Sequence, residues 1–369
     1  MARSERRSEA QWIEARNRWQ VKVQVNGVRK TFTSSIPGRR GKHEAEGKAD
    51  DWLESQTSDK RFADAWAEYL AENKGKIANT TYVKYEGQGR LWLVPKLGRK
   101  HLSEITPAMW QRCIDDMADA GLSKKSCANL RGLISVFCVF CRRHRWDIET
   151  PLDGDLTVPR KATQGTRRIL QPDDMRILFT DSTYVRNNVK RTAFYINAWR
   201  FIVVTGLRRG ELAGLRVEDR EGPNVIRINR AVNVLGEITE GKTENAQRYI
   251  ALSQAARDIL EDQKQLLKDH FIVSPWLFPD ERGGMSDTNH IQRLWNSYRK
   301  QHSIQCTLHE LRHTFMSAVK SDMPEPLLKA QVGHGAKTDS LGIYGHKIDG
   351  DIEATATVID NVFMRLLDK

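Results

Sequence analysis

The stretch Thr205-Gly-Leu-Arg-Arg-Gly-Glu-Leu-Ala-Gly-Leu-Arg216 joins two predicted helices. The first is an apolar run that ends at Val204, and the second begins near Arg208. Backbone N–H groups at a helix start favour an anion, so a guanidinium there can help to bind one. Glu211 follows three residues later and can brace that guanidinium. The stretch therefore predicts an anion site, although an arginine–glutamate pair at a helix start is also common as a surface ion pair.

A second motif, Leu308-His-Glu-Leu-Arg-His-Thr-Phe315, places two histidines and an arginine at helical spacing. Residues three apart on a helix share one face, so His309 and Arg312 can point at a single phosphate. His313 lies one turn beyond His309 and competes for the same role. The stretch also matches the zinc-peptidase pattern HExxH, for which His334 could supply a third ligand. A zinc peptidase would not explain the arginines of these motifs or the basic charge of the chain.

Three further residues lie in weaker local patterns. Lys242 falls in a predicted turn between two strands, where an ammonium could protonate a departing 5′-oxygen. His334 ends a predicted helix, and Tyr344 follows ten residues later in a glycine-containing stretch. Taken singly, a hairpin lysine is commonly solvated, a histidine at a helix end commonly answers the helix dipole, and a tyrosine commonly packs.

The order of these groups along the chain is more informative than any one of them. Arginines, a lysine and histidines that converge on one phosphate can neutralise it, and a tyrosine hydroxyl can then attack it. Covalent storage of the phosphodiester requires no ATP, and charge neutralisation by side chains requires no metal. The ordered set therefore predicts an enzyme that cuts and rejoins DNA with neither a metal nor a cofactor.

The composition agrees with a nucleic-acid partner. The 369 residues carry a net charge of +12, which favours a polyanion, and the length suits two or three domains. We find neither an apolar stretch that could span a bilayer nor the apolar core of a signal peptide, so we expect no membrane partner. Five cysteines without framework spacing favour a reducing cytoplasm. Cys138 and Cys141 form a CxxC, but they lie in an apolar helical run and are predicted to be buried thiols.

Residues 1–57 predict a small β-sheet domain. Residues 1–43 hold eleven Lys/Arg and three Glu, a net +8 of the total +12. Alternating valines on both sides of Asn26-Gly27 predict a hairpin with a two-residue turn. The expected cross-strand neighbours are Val25 with Val28, Val23 with Lys30, and Val21 with Phe32. A short helix over Glu44–Leu53 is expected to follow.

The polar face of this hairpin is our first candidate DNA-binding surface. A two-stranded ribbon fits the major groove of DNA, and no acidic residue occurs between positions 15 and 43. A solvated polar face is, however, ordinary in any small sheet. The residues on this face are Gln20, Lys22, Gln24, Arg29, Thr31 and Thr33.

Residues 58–155 predict a helical domain. An aromatic stripe that begins at Phe62, a proline after the N-cap residue Thr106, and the long run Ser123–His144 each indicate a helix. The side chains of the long run that are expected to face inward are Leu130, Leu133, Val136, Phe137 and Phe140. Those expected to face outward, and taken as candidate DNA contacts, are Lys124, Lys125 and Arg131.

A basic linker rich in proline and glycine runs from Glu149 to Arg168 and supplies the second domain boundary. The third predicted domain, residues 156–369, is rich in helices and contains two strands, Val225–Asn229 and Arg248–Leu252, which flank Lys242. The expected fold class is therefore α+β and mainly α.

The motifs resemble those of the tyrosine recombinases of the phage integrase family. The resemblance is carried by Thr205–Arg216, Gly241–Thr243, Leu308–Phe315 and Val332–His334, followed by Tyr344. It spans the C-terminal half of the chain. The N-terminal half is similar less specifically, to an arm-type DNA-binding β-domain followed by a helical core-binding domain.

The resemblance implies a role for each predicted site residue. Arg208 and Arg312 would clamp the scissile phosphate, and Tyr344 would be the nucleophile that forms a 3′-phosphotyrosyl link. The remaining roles would be phosphate binding and proton handling for His309 and His334, general acid for Lys242, and support for Glu211.

The resemblance also implies a set of partners. These are the core and arm attachment sites of double-stranded DNA, a homotetramer that passes through a Holliday junction, DNA-bending accessory proteins and an excision factor. The reaction would be the integration or excision of a phage or other mobile element. An apolar face on Ala354–Leu367 would dock on a neighbouring protomer or on its own domain. A DNA-binding regulator that does not cut DNA remains the alternative, with the zinc peptidase behind it.

Overall fold

A computed structural model of the protein describes residues 9–25, 28–57, 60–240, 247–333 and 350–367. The chain divides into two compact units, Met1–Gly165 and Thr166–Lys369. The division into three domains, with boundaries after residues 57 and 155, stays a prediction. No helix of the described ranges is both long enough and apolar enough to cross a membrane.

The N-terminal end of the first unit is a three-stranded antiparallel sheet with a helix across one face. Its elements are β1 (Gln11–Ile13), β2 (Arg18–Val25), β3 (Val28–Ser34) and α1 (Gly38–Thr57). Val21 and Val23 are buried with Ala45 and Ala49 of α1. The predicted cross-strand pairs are all present, which confirms the hairpin register, and the turn residues 26–27 lie outside the described residues.

Two features of this sheet were not predicted. Strand β1 pairs with β2 through only three residues, too few to show an alternating pattern. Helix α1 begins at Gly38, six residues before the predicted start at Glu44. Its first turn and a half contains no apolar residue, so hydrophobic periodicity could not reveal it.

The rest of the first unit is helical, as predicted. Its helices are α2 (Phe62–Asn73), α3 (Asn79–Gln88), α4 (Val94–Leu97), α5 (Pro107–Asp119) and α6 (Lys124–Arg143). Their core is aromatic, with Phe62 and Trp110 both packed edge-on against Phe137. Leu156 and Ala162 are buried in the same core.

The long helix α6 largely follows the prediction. Its N-cap residue Ser123 accepts a hydrogen bond from the N–H of Ser126. The inward residues are buried except Val136, which is 44% exposed, so its predicted inward position was wrong. The five cysteines of the chain are free and buried, and burial raises the pKa of Cys138 to about 12. The CxxC pair therefore consists of packed thiols, as predicted.

The second unit contains the remaining elements. In chain order they are α7 (Pro172–Thr180), β4 (Thr183–Arg186), β5 (Val189–Thr192), α8 (Ile196–Thr205), α9 (Arg209–Ala213), β6 (Val225–Ile228), β7 (Ala231–Val232), β8 (Ile238–Thr239), β9 (Arg248–Ala251), α10 (Gln254–Asp269), α11 (Thr288–Gln301), α12 (Leu308–Val319), α13 (Glu325–Val332) and α14 (Asp351–Leu367). The two predicted strands are present as β6 and β9, which pair with each other, and the chain as a whole has the predicted mainly helical α+β fold. The hairpins β4–β5 and β7–β8 were not predicted.

Helix α8 forms the centre of this unit. It is apolar almost all round, which is typical of a helix enclosed by others, and it contacts α10 and α12. Trp199 packs there edge-on against Trp295. The C-terminal helix α14 buries Ile359 and Phe363 in this same core, so its apolar face packs on its own unit. The carboxylate of Asp360 also accepts the N–H of Gln254 at the start of α10.

Candidate active site

The turn between α8 and α9 fixes the position of Arg208. Gly206 ends α8 with a left-handed backbone (φ 73°), a conformation that a side chain disfavours. A Cβ atom there would also lie 2.5 Å from the ring of Phe315. The chain then turns into α9 with Arg208 as its N-cap residue. The glycine thus allows the sharp turn that brings the guanidinium to the end of the central helix.

Glu211 is the buried acceptor that orients two arginines. Its carboxylate accepts the N–H of Arg208 at 2.9 Å and the Nη1 of the same residue at 2.7 Å. On its other side, Arg248 donates from Nη1 to Oε1 at 3.1 Å and from Nη2 to Oε2 at 3.0 Å. Burial raises the pKa of Glu211, but the hydrogen bonds and charges of Arg248 and Arg208 together outweigh it and hold that pKa below its ordinary value. The carboxylate is therefore ionised at neutral pH.

Arg312 is buried at the N-terminal end of α12, with 2% of its surface exposed. Its Nη1 donates to the carbonyl of Gly206 at 2.7 Å and its Nη2 donates to that of Val332, also at 2.7 Å. Two helix ends therefore hold this guanidinium from both sides, which leaves it little freedom to move.

Three successive carbonyls at the end of α13 each bind a different arginine. Gln331 accepts from Nε of Arg248 at 3.0 Å, Val332 accepts from Arg312, and Gly333 accepts from Nη2 of Arg208 at 3.1 Å. The last carbonyls of a helix have no partners within it and form the negative end of its dipole. Guanidinium groups satisfy both requirements. The end of α13 is therefore the common anchor of the arginine cluster, which we define as Arg208, Arg248 and Arg312.

The arginine cluster is short of negative charge. Three guanidiniums face one carboxylate, that of Glu211, so the four groups together carry a net +2 (three minus one). Burial lowers the pKa of Arg312 to about 10, and the charges of Arg208 and Arg248 add to that shift. Buried charges of one sign are costly unless they are compensated. The geometry therefore suits an anion such as a phosphodiester.

His309 lies on the first turn of α12, beside the arginine cluster. Its ring meets the ring of His313 edge-on, with 4.9 Å between the centroids. Partial burial lowers its pKa, and the charges of His313, Arg312 and Arg208 lower it further. The imidazole is therefore largely neutral at pH 7 and can accept a proton.

The HExxH pattern is used differently from a zinc site. The carboxylate of Glu310 accepts the N–H groups of Thr307 and Arg168, each at 2.7 Å, and so caps the start of α12. Burial raises the pKa of Glu310, yet those hydrogen bonds prevail and lower it. Such a carboxylate is a poor general base near neutral pH. Within the described ranges, no three His, Cys, Asp or Glu residues are grouped as metal ligands.

Three predicted site residues, Lys242, His334 and Tyr344, lie outside the described residues. The flanking segments are described on both sides. The residue that precedes His334 in sequence, Gly333, accepts a hydrogen bond from Arg208. The structure thus brings Arg208, Glu211, His309 and Arg312 together, and the roles implied for all seven residues stay predictions.

The candidate DNA-binding residues lie at surfaces of the first unit. Helix α1 covers one face of the N-terminal sheet, and the opposite face carries the predicted polar residues. Those of that face with exposed side chains are Lys22, Gln24, Arg29 and Thr31, and those partly exposed are Gln20 and Thr33. Lys124, Lys125 and Arg131 are exposed on α6, as predicted, although Arg131 also donates to the carbonyl of Leu156 at 3.4 Å.

Two residues of the site were missed by the sequence analysis. Arg248 was noted only as the first residue of a strand, and its place beside the loop of Lys242 was the one available signal. Gln331 is 3% exposed and accepts the N–H of Ala251 at 3.0 Å through its side-chain oxygen. Its amide nitrogen donates to the carbonyl of Thr205 at 3.4 Å, so it ties the end of α8 to β9. No local pattern marks such a bridge, because its partners are distant in sequence.

Comparison with known families matches most of the chain to two domain types. Residues 168–350 match the phage integrase family, and residues 61–118 match the N-terminal SAM-like domain of phage integrases. Among curated proteins, the prophage integrase IntR of Escherichia coli (strain K12) is 26% identical over 177 residues. That match covers 42% of this chain and 43% of IntR, so the chain spans less than half the length of this relative.

Solved structures of integrases share the fold. The Tn1549 transposon integrase in complex with transposon right end DNA aligns with a TM-score of 0.61 at 20% identity, over 79% of this chain and 97% of that one. A lambda integrase tetramer bound to a Holliday junction aligns with a TM-score of 0.58 at 16% identity, over 92% of this chain and 98% of that one. At these identities the alignments establish the fold alone.

Proposed function

Because the chain belongs to the phage integrase family of tyrosine recombinases, we propose that it recombines DNA at specific sites. It cuts one strand, holds that strand through a 3′-phosphotyrosyl link and rejoins it to another. Four active protomers assemble on the DNA and pass through a Holliday junction. The biological outcome is the integration or excision of a phage or other mobile element.

The proposed chemistry assigns one step to each group. The hydroxyl of Tyr344 attacks phosphorus, and the 5′-oxygen leaves with a proton from Lys242. Arg208 and Arg312 bind the non-bridging oxygens as their negative charge grows. A 5′-hydroxyl from a second strand then attacks the phosphotyrosine, which restores the phosphodiester and releases the enzyme. The phosphotyrosyl bond stores the energy of the broken phosphodiester bond, so no ATP is consumed.

His309 and His334 are assigned to proton handling and phosphate binding. A neutral imidazole can take the proton of the tyrosine hydroxyl as that group attacks. The lowered pKa of His309 supports the assignment, because it keeps the ring unprotonated near pH 7. Glu211 acts through Arg208, which it orients, and Arg248 acts through Glu211, to which it donates two hydrogen bonds.

One observation carries the proposal: the arginine cluster, of which Arg248 and Arg312 are almost fully enclosed, is held by backbone carbonyls and exceeds its carboxylate by two charges. A preorganised group of donors that lacks a counter-charge is suited to a transition state that gains negative charge. Removal of one such donor typically slows a reaction by about 10²–10³. A protein that only bound DNA would gain nothing from fixing an excess of positive charge in this way.

The N-terminal residues 1–155 are assigned to the positioning of DNA. Residues 1–57 bind distal arm sites through the exposed face of their sheet, and residues 58–155 bind the core site. Residues 156–369 carry the chemistry. DNA-bending proteins and an excision factor complete the assembly, which works in the cytoplasm on the DNA of the nucleoid.

A nicked duplex that carries an attachment site tests the nucleophile, because loss of the short cut fragment traps the covalent adduct. We expect Tyr344→Phe to bind this DNA as tightly as the unaltered protein and to form no adduct. The matched control is Tyr249→Phe, which alters a tyrosine that is 38% exposed in the same unit and should leave adduct formation intact. Adducts formed by Tyr344→Phe would exclude this residue as the nucleophile.

The same assay separates the alternatives. The proposal requires that the unaltered protein form adducts in EDTA, whereas a zinc peptidase would lose its activity there. Tight and specific binding of attachment-site DNA without any adduct would favour a regulator that does not cut.

A further inference from the structure

The hairpin β4–β5 is a basic ribbon that no predicted role uses. The hairpin, residues 183–192, contains no acidic residue and three Lys/Arg, at positions 186, 190 and 191. Lys190 and Arg191 stand on β5 with exposed side chains. The next acidic side chain towards the N-terminus, Asp181, is engaged by the hydroxyl and the N–H of Thr183 at the base of the hairpin.

The ribbon has a defined shape. Asn187 and Asn188 at its tip both have left-handed backbones, with φ of 53° and 58°, which is the requirement of a type I′ turn. That turn matches the right-handed twist of two strands, and the four pairs from Thr183–Thr192 to Arg186–Val189 are in register. The hairpin is therefore a regular projection and not an irregular loop.

The ribbon is fixed to the body of the second unit at the end of α11. The side-chain amide of Gln301 both donates to the carbonyl of Val185 and accepts its N–H, each at 2.6 Å. The Nε2 of His302 lies 2.9 Å from the carbonyl of Thr183. This anchor lies just before the segment that leads into α12 and His309, so the ribbon is tied to the chain that enters the active site.

The faces of the ribbon remain open despite this anchor. Val185 and Val189 are 48% and 50% exposed, although valine in a sheet is usually packed. Of the hydrophobic residues of the ribbon, Tyr184 packs partly against the core of the unit. The last turn of α11 adds Arg299 and Lys300 beside the anchor residue Gln301. Exposed valines between cations can contact sugars while the cations meet phosphates.

We propose that the β4–β5 hairpin binds the phosphate backbone of duplex DNA next to the cleavage site. The proposal rests on the recombinase function proposed above. DNA fits these observations because its charge is dense and regular, which suits a ribbon that presents cations and no acids. The contact positions the duplex and reads no sequence. Lys190 and Arg191 would then each neutralise one phosphate.

The test is the salt dependence of binding to a 40-bp duplex of mixed sequence, measured with the full chain. Each phosphate contact contributes a slope of roughly −0.9 to log K against log salt. We expect K190A/R191A to lower the magnitude of the slope by roughly 1.8, which corresponds to about 60-fold weaker binding at 0.1 M salt. The control K264A/K268A removes two exposed cations from α10 and should leave the slope unchanged.

A charge-preserving variant guards against a merely structural effect. K190R/R191K should keep the slope and the affinity of the unaltered protein, since phosphate contacts need a cation and not a particular side chain. An equal slope in K190A/R191A and the unaltered protein would overturn the proposed hairpin contact. Loss of affinity in K190R/R191K as large as in K190A/R191A would overturn it as well.

Failure of the hairpin proposal is separable from failure of the proposed function. The unaltered protein should form adducts with the nicked duplex in either case if it is a recombinase. Adducts together with an unchanged slope in K190A/R191A would reject the hairpin alone. An unaltered protein that neither bound duplex DNA nor formed adducts would reject both.

Discussion

The pair of Glu211 and Arg248 offers the sharpest test of how the active site is held. We consider Glu211→Gln, which removes the one carboxylate that the arginine cluster faces and keeps the size of the side chain. We also consider Arg248→Met, which removes one positive charge and fills a similar volume. The two changes are made singly and together, so that their interaction can be measured.

The expected magnitudes follow from burial and geometry. The two side chains are 6% and 8% exposed and share two hydrogen bonds, at 3.1 and 3.0 Å. Removal of one partner from a buried ion pair costs about 3–5 kcal/mol, because the other charge is left uncompensated. Arg208 changes this cost little, since its side chain is 41% exposed and solvent screens its charge. We expect each single change to cost about 3–4 kcal/mol, and the double change to cost at least about 2 kcal/mol less than their sum.

The assay is hydrogen exchange of peptides from β9 and α12, followed by mass spectrometry, because global unfolding of a chain with two units is not a two-state process. Peptides from α6 in the other unit serve as the internal control and should show no change. Costs that add to within about 0.5 kcal/mol would show that the two residues act independently. Glu211 would then not be the shared carboxylate that holds the arginine cluster together.

Two other predictions follow from the same site. Gly206→Ala should destabilise the second unit by about 1–3 kcal/mol more than Gly222→Ala. Both glycines have left-handed backbones (φ 73° and 78°), but only a Cβ atom at Gly206 would meet a ring, that of Phe315 at 2.5 Å. Equal losses of stability in the two variants, measured by hydrogen exchange, would contradict the steric argument. His309 should titrate below its ordinary pKa of 6.5, since burial and the neighbouring cations disfavour its charged form. The contribution of neutral His309 to the stability of the second unit is then fully present above pH 6.5 and is lost as the pH falls through its lowered pKa. The cleavage rate should fall over the same pH range. An NMR titration midpoint of His309 at or above 6.5 would contradict this prediction.

The sequence was sufficient for features that a local pattern encodes. The spacing of His309 and Arg312 on α12 follows from the helical period, and the register of β2 with β3 follows from alternating valines. The strands β6 and β9 were likewise visible in the sequence as two short apolar segments. In each case the residues that define the feature lie within a few positions of one another or of a recognisable turn.

The features that the sequence did not reveal depend on distant parts of the chain. Arg248 is 37 residues from its partner Glu211, and nothing near it in sequence indicates that the two residues pair. Val136 fits the apolar stripe of α6 by spacing, yet 44% of its surface is exposed. The hairpin β4–β5 was missed because its two valines are separated by a cation and two asparagines and show no strict alternation, a pattern equally typical of a loop.

The end of α13 has a consequence for how this protein can evolve. Its three carbonyls belong to the main chain, so replacing Val332 by another residue leaves the acceptor for Arg312 unchanged. Only changes that alter the path of the backbone, such as a side chain at the left-handed Gly333, would disturb the set. The carbonyl acceptors therefore place no demand on the identity of the side chains, and the limits on α13 come instead from the burial of Gln331 and Val332. Relatives that preserve this backbone path would keep all three acceptors of the arginine cluster even where the residues that supply the carbonyls differ.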